Sequence, residues 1–218
     1  PTLCTRDLVV FPSVLTPILI GRAESKELAN MLEQNPETVF CIFCQKHADI
    51  DSPNQEDLYE TGTFAKLMRV INMPNDEHQK TIIVQGLGRC KMKQIVDKDP
   101  FYLADVESLP ETWPTEKEAE DPMFKALTQT FFEESIKFIQ YNENIPNEAI
   151  YAINEITNRF VKCNFICTSL PFTAEDKIKM LEQEKLSERL IEALKALHKE
   201  QKLLYLQNEI RNKTQFDL

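Results

Sequence analysis

Glycine and histidine are scarce in this sequence, and their scarcity excludes several kinds of functional site. Only 4 glycines and 3 histidines occur in 218 residues, so the chain has no glycine-rich loop for nucleotide phosphates and no dinucleotide fingerprint. Gly86 and Gly88 are too close together for either motif and predict a tight connection between two strands. Gly-x-Ser-x-Gly and His-Glu-x-x-His motifs are also missing. We therefore expect no catalytic residue in this chain.

Long apolar runs and a basic region are missing as well. No run approaches the roughly 18 apolar residues of a membrane helix, and the chain does not open with a signal segment. The formal net charge is −10, and acidic residues exceed basic ones in both halves, which disfavours a nucleic-acid partner. Six scattered cysteines suit the reduced thiols of a cytosol. The composition indicates a cytoplasmic protein with no membrane partner.

The cysteine spacing suggests a metal site only weakly. Cys41 and Cys44 form a Cys-x-x-Cys pair with His47 nearby, which is half of a common zinc site. A second pair is missing, and in a strand this odd separation would place the two sulfur atoms on opposite faces. Cys163 and Cys167 share a helical face, where a small apolar contact is the simpler interpretation. We predict no bound metal and no cofactor.

The first half of the chain has the pattern of a β-rich domain. Short apolar runs alternate with turn-forming residues, and one segment, residues 23–34, has helical spacing instead. Pro12 and Pro17 cannot donate to a sheet, so we place them at edges or bends. Residues 73–78 are predicted to close a hairpin. The predicted strands cover residues 8–11, 16–20, 39–44, 63–72, 81–85, 89–96 and 101–106.

The second half of the chain changes to helical periodicity. Residues 111–122 are acidic, with prolines near both ends, and predict a linker between a β-rich lobe at 1–110 and a helical bundle at 123–218. Predicted helices cover residues 123–141 and 147–162, a short segment after the helix-capping Thr173, and 187–213. The fold class is therefore α+β, with a pseudo-barrel β lobe followed by a bundle that ends in a long helix.

The last predicted helix is long for its domain. It would measure roughly 40 Å, whereas a globule of about 110 residues is roughly 34 Å across. We expect its end to project, exposing Leu203, Leu206 and Ile210 as an assembly surface. The alternative is a helix that bends and packs entirely within the bundle.

Several short segments along the chain form an ordered series. The series starts with residues 6–12 (RDLVVFP) and 16–22 (TPILIGR) and continues with residues 45–46, 57–63, 73–74, 84–89, 145–146 and 208–213. In this order the segments resemble the amino-terminal domain of the ATP-dependent Lon protease family, in a bacterial form, and the resemblance covers nearly the whole chain.

This resemblance implies a substrate-recognition region that is not itself an enzyme. In the family, the long last helix leads into a hexameric ATPase and then a Ser-Lys protease, so ATP and magnesium are expected only for those parts. The expected partners are unfolded or degron-bearing proteins, with self-association in a hexameric parent. The alternative is a free-standing protein of this domain type that acts as an adaptor or scaffold. A stop codon after Leu218 would favour that alternative.

The opening segment supplies the candidate substrate-binding residues. Pro12 and Pro17 interrupt strand pairing, so Phe11, Val14 and Leu15 are expected near a bend, where exposed apolar side chains would bind misfolded proteins. Arg22 is a further candidate for a contact with substrate. The alternative is that these apolar side chains fill the core of the sheet.

Overall fold

The computed structural model describes residues 1–72, 79–112 and 114–216, with side chains up to residue 214. The described chain divides into two compact units, Pro1–Thr112 and Trp113–Leu218. The hairpin turn predicted at residues 73–78 lies outside the described residues. The α+β class, with a β lobe containing one helix followed by helices ending in a long one, is confirmed.

The described residues of the first unit form a six-stranded sheet with one α-helix. The elements are β1 (Thr2–Thr5), β2 (Leu15–Ile20), α1 (Ala23–Gln34), β3 (Val39–Cys44), β4 (Thr61–Asn72), β5 (Lys80–Asp97) and β6 (Leu103–Ser108). Five strands follow the order β1-β3-β4-β5-β2, and β6 pairs with β5 off this path. Among these described strand pairs, the β1–β3 pair alone is parallel.

The strand β5 corrects two predictions. The segments predicted as separate strands at 81–85 and 89–96 form one strand of 18 residues, which pairs with β2 through its first half and with β6 through its second. Gly86 and Gly88 therefore lie inside a strand, not in a connection. A shift in the β4–β5 register occurs there, because Ala65 is opposite Gly86 and Phe64 is opposite Gly88. The extra residue is a β-bulge that bends the strand without ending it.

Residues 8–11 were predicted as a strand and are not one. They form a segment without regular secondary structure, in which Val9, Val10 and Phe11 are all buried core residues. Thr63 Oγ1 donates to the carbonyl oxygen of Val10 at 2.6 Å, so a side chain satisfies this backbone group. Apolar β-branched residues are therefore buried here without a strand partner. The four-residue β1 was not predicted.

The second unit contains six helices within its described part. These are α2 (Glu116–Glu120), α3 (Pro122–Tyr141), α4 (Glu148–Glu155), α5 (Arg159–Ser169), α6 (Ala174–Leu181) and α7 (Leu186–Phe216). The segment predicted as an acidic linker contains α2, which begins with a capping box between Thr115 and Glu118. No described helix is both long and apolar enough to cross a membrane.

The helix predicted over residues 147–162 is divided into α4 and α5. Ile156 leaves the helical conformation, and Asn158 becomes the cap of a new helix. The side-chain oxygen of Asn158 accepts hydrogen bonds from the backbone N–H groups of Phe160 and Val161 at 2.9 and 3.1 Å. Asparagine competes for backbone groups in this way and therefore favours helix starts over helix interiors.

Candidate functional site

The bend that follows residues 8–11 is built around Ser13. This residue has a φ of 64°, a left-handed conformation that non-glycine residues rarely adopt. Its N–H donates to the carbonyl oxygen of Gly86 at 2.9 Å, and Gly86 N–H donates to the carbonyl oxygen of Val14 at 3.0 Å. Two backbone hydrogen bonds therefore hold the bend against β5 at the bulge.

The burial of this bend corrects the expectation that Phe11 and Val14 face solvent. Phe11 is 0% exposed and Val14 3% exposed, whereas Leu15 is 56% exposed. Val14 continues the alternation of β2, in which Thr16 and Ile18 are also buried. Phe11 precedes the bend, and its backbone lies against Gly86. Of the three apolar candidates, only Leu15 can contact a partner directly. Substrate binding by Leu15 stays a prediction.

Arg22 is half-buried in a hydrogen-bond network. Its guanidinium donates to the side-chain oxygen of Gln45 and to the carbonyl oxygen of Ile50, the latter at 3.1 Å. Gln45 Nε2 donates to the same Ile50 carbonyl at 2.9 Å and to that of His47 at 3.0 Å. These bonds fix the loop after β3, so Arg22 has a structural role. Its contact with substrate stays a prediction.

An apolar surface covers the solvent-facing side of β2 and its neighbours. Leu15, Pro17 and Leu19 are exposed on one side of the strand, and Leu19 is 59% exposed. The sheet register places Ile83 of β5 beside Pro17 and Thr81 beside Leu19, with Ile71 of β4 next to Thr81. We call the set Leu15, Pro17, Leu19, Ile71 and Ile83 the β2 outer face.

Leu19 was missed because residues 15–20 are apolar on both sides of the strand, and Ile71 and Ile83 were missed because their position near β2 depends on the register of the sheet. Alternation assigns the buried side only when the other side is polar, and here the inward side contains Thr16 while the outward side contains two leucines. Pro17 was the available signal. A proline within a strand belongs on an edge with its nitrogen directed away from the sheet, which also identifies Leu15 and Leu19 as edge residues.

The second candidate surface lies on the last helix. The buried positions of α7 end at Leu197, after which Leu203, Leu206 and Ile210 are 44, 43 and 63% exposed. The helix does not project as far as expected. Gln201 donates to Glu134 at 3.0 Å and Arg211 pairs with Glu143 at 3.2 Å, so α7 stays beside the end of α3 and the turn after it as far as Arg211.

The six cysteines are all buried, and none of them forms a disulfide. Burial raises the pKa of the Cys4 thiol to about 12, which keeps it protonated at neutral pH and unreactive. Cys41 lies beside Cys90, whereas Cys44 directs its sulfur towards the Gln45 carbonyl oxygen. Within the described residues, no group of three or more histidine, cysteine or acidic side chains is placed to hold a metal ion.

Solved structures share this architecture. The N-terminal domain of a Mycobacterium avium complex Lon protease matches 91% of this chain and 97% of its own, with a TM-score of 0.65 and 19% identity. A Lon N-terminal domain protein from Xanthomonas campestris matches 90% of this chain and 96% of its own, with a TM-score of 0.59 and 11% identity. At these identities the similarity establishes the fold alone.

Sequence comparison extends the similarity to longer proteins. The Lon protease of Flavobacterium johnsoniae is 31% identical over all 218 residues, which correspond to 26% of that protein. The Lon protease of Chloroherpeton thalassium is 32% identical over the same length, 25% of its own. The chain thus spans about a quarter of these relatives. A family model described as the ATP-dependent protease La (LON) substrate-binding domain matches residues 1–199, and the chain belongs to that family.

Proposed function

We propose that this chain is the substrate-recognition region of an ATP-dependent protease and that the β2 outer face binds apolar segments of unfolded or degron-bearing proteins. The observation that supports the proposal is the placement of Leu15, Pro17 and Leu19 together on the solvent side of an edge strand. Exposed apolar clusters of this kind are typical of protein-binding surfaces. In a complete protein, an ATPase and a Ser-Lys protease outside this chain would carry the catalysis.

Replacing Leu15 and Leu19 with serine is expected to weaken binding of a permanently unfolded, fluorescently labelled casein by about 10- to 100-fold. Each half-exposed leucine contributes about 1 kcal/mol or slightly more when a partner covers its remaining surface, and 1.4 kcal/mol corresponds to tenfold in affinity. Fluorescence anisotropy titration measures the change. Neither side chain contributes to the core, so the variant keeps its thermal stability.

The matched control is Val39→Ser. Val39 is an exposed apolar residue of the same sheet, but it lies on β3, which β4 and β5 separate from β2. Casein affinity should stay within about twofold of the unmodified chain, since a single distant apolar contact is removed. Equal losses in the control and the double variant would contradict a localised binding surface.

We further propose that Leu203, Leu206 and Ile210 form an assembly surface. The three side chains recur at i, i+3 and i+7 and therefore share one face of α7. Sedimentation equilibrium should detect weak, concentration-dependent self-association that is lost when all three are changed to serine. Met123→Ser serves as the control, because Met123 is also strongly exposed but lies on α3. If the triple variant still self-associates, these three residues do not form the assembly surface.

A further inference from the structure

The free edge of β2 faces a groove. One wall is formed by residues 18–22 at the end of β2, and the other by β1 and the residues after it, including Arg6 and Leu8. The groove has a volume of about 280 Å³. Both walls belong to the first unit, and β1 and β2 are the two ends of the five-strand path. Within the described residues β1 and β2 do not pair with each other, so the sheet is open between these two strands.

The backbone of β2 has unused hydrogen-bonding groups on the side away from β5, and those of Leu19 lie where β2 lines the groove. Gly86 N–H bonds to the Val14 carbonyl oxygen, and in an antiparallel pair every second residue points its backbone to the partner strand. Val14, Thr16, Ile18 and Ile20 therefore bond to β5, while Leu15, Pro17 and Leu19 point away from it. Within the described part of the chain, these three residues make no backbone hydrogen bond on that side. The edge offers three carbonyl oxygens and two N–H groups.

We propose that an extended segment of an unfolded protein adds to β2 as an antiparallel strand. This inference rests on the proposed function and specifies how the β2 outer face is used. Strand addition supplies main-chain hydrogen bonds that any sequence can make, while alternate side chains select apolar residues. In such a pair, each residue opposite Leu15, Pro17 or Leu19 places its side chain on the outer face beside them. The preferred segment therefore alternates apolar with polar residues.

Charge favours a protein segment over a second copy of this chain. Residues 1–110 contain 16 acidic and 11 basic side chains, so two copies of the lobe repel each other, whereas a short segment without net negative charge carries no such penalty. The charged side chains that line the groove are Arg6, Asp7 and Arg22, so the groove itself does not select basic polar positions. The site thus suits a short, alternating segment of another protein.

The test uses a nine-residue peptide, blocked at both ends, that alternates valine with lysine or threonine. Two further versions carry N-methyl groups on the valine nitrogens or on the lysine and threonine nitrogens. An antiparallel added strand directs only the valine N–H groups to β2, so methylating them should reduce affinity by about tenfold or more, while methylating the others has little effect. If both methylated peptides lose affinity equally, or if neither loses affinity, strand addition is wrong.

A protein variant tests the same edge from the other side. Leu19→Pro removes an N–H group that β5 does not use, and it should weaken binding of the unmethylated peptide severalfold more than Leu19→Val does. Thermal melting confirms that both variants stay folded. If Leu19→Pro instead abolishes a dimer of the chain in sedimentation, a second copy occupies the edge and the proposal fails. If the double serine variant loses casein binding while the methylated peptides all bind alike, the proposed function holds without strand addition.

Discussion

Replacing Gly86 with alanine should lower the free energy of unfolding of the β lobe by about 3 kcal/mol or more. A Cβ atom at this position would lie 2.1 Å from the carbonyl oxygen of Phe11 and 2.9 Å from its carbonyl carbon. Both contacts are with backbone, which cannot rotate away as a flexible side chain can. Overpacking typically costs 1 to 3 kcal/mol, and backbone displacement places a substitution in the upper range.

The displacement would also open the bend at Ser13. Gly86 holds this bend through two backbone hydrogen bonds, and the bend positions β2, so loss of casein binding should accompany loss of stability. Urea denaturation, monitored by far-ultraviolet circular dichroism, measures the loss of stability. An intact lobe with unchanged stability would contradict the close approach of Phe11 to β5.

Gly88→Ala is the matched control for that experiment. The two glycines belong to the same strand and flank the same bulge, but a Cβ at Gly88 has no neighbour within 4 Å. Alanine reduces the conformational freedom of the unfolded chain, so the control should be neutral or stabilise by up to about 1 kcal/mol. The contrast separates steric conflict from any general need for glycine near the bulge.

Replacing Arg189 with alanine should destabilise the helical unit by about 3 to 5 kcal/mol. Arg189 is 0% exposed and donates to Met180 O at 3.1 Å, Gln183 O at 2.8 Å and Asn164 Oδ1 at 3.0 Å. Its guanidinium also lies 5.5 Å from the ring centre of Phe160. Removing it leaves a cavity and takes this donor from two buried acceptors and one part-buried acceptor. Thermal and urea denaturation measure the loss.

Two further variants distinguish the causes. Arg189→Lys keeps the charge but not the planar set of donors, so it should recover little of the lost stability. Arg211→Ala removes an exposed arginine of the same helix, whose ion pair with Glu143 should contribute less than about 1 kcal/mol. Similar effects for Arg189→Ala and Arg211→Ala would contradict the assignment of Arg189 as a buried link between α5, α6 and α7.

The fold class was predictable because the periodicity changes along the chain. Residues 23–34 were recognised as a helix by the spacing of Leu28, Met31 and Leu32, and the observed α1 has the same bounds. Strand ends were harder to predict. A bulge lets β5 continue through two glycines, and side-chain hydrogen bonding lets residues 8–11 be buried without a partner strand. Both outcomes depend on contacts that are distant in the sequence.

The candidate site was only partly predictable for a related reason. Apolar composition identified residues 11–19 as important, but it could not assign an inward or outward direction to each side chain. Phe11 is inward because the bend places it against Gly86, a contact separated by 75 positions in the chain. Leu19 is outward because it alternates with the buried Ile18 and Ile20 in a strand whose register with β5 places one face towards the core. Whether each side chain faces the core or the solvent depends on tertiary contacts, whereas composition indicates only that apolar residues are present.

The pairing of β2 with β5 has a mechanical consequence. Six consecutive residue pairs, from Leu15 with Gln85 to Ile20 with Lys80, join the two strands. A pulling force along the axis of β2 loads all of their hydrogen bonds simultaneously in shear, whereas a perpendicular force would break them one at a time. A polypeptide bound along this edge and drawn lengthwise would therefore slide or detach before the lobe itself is torn open.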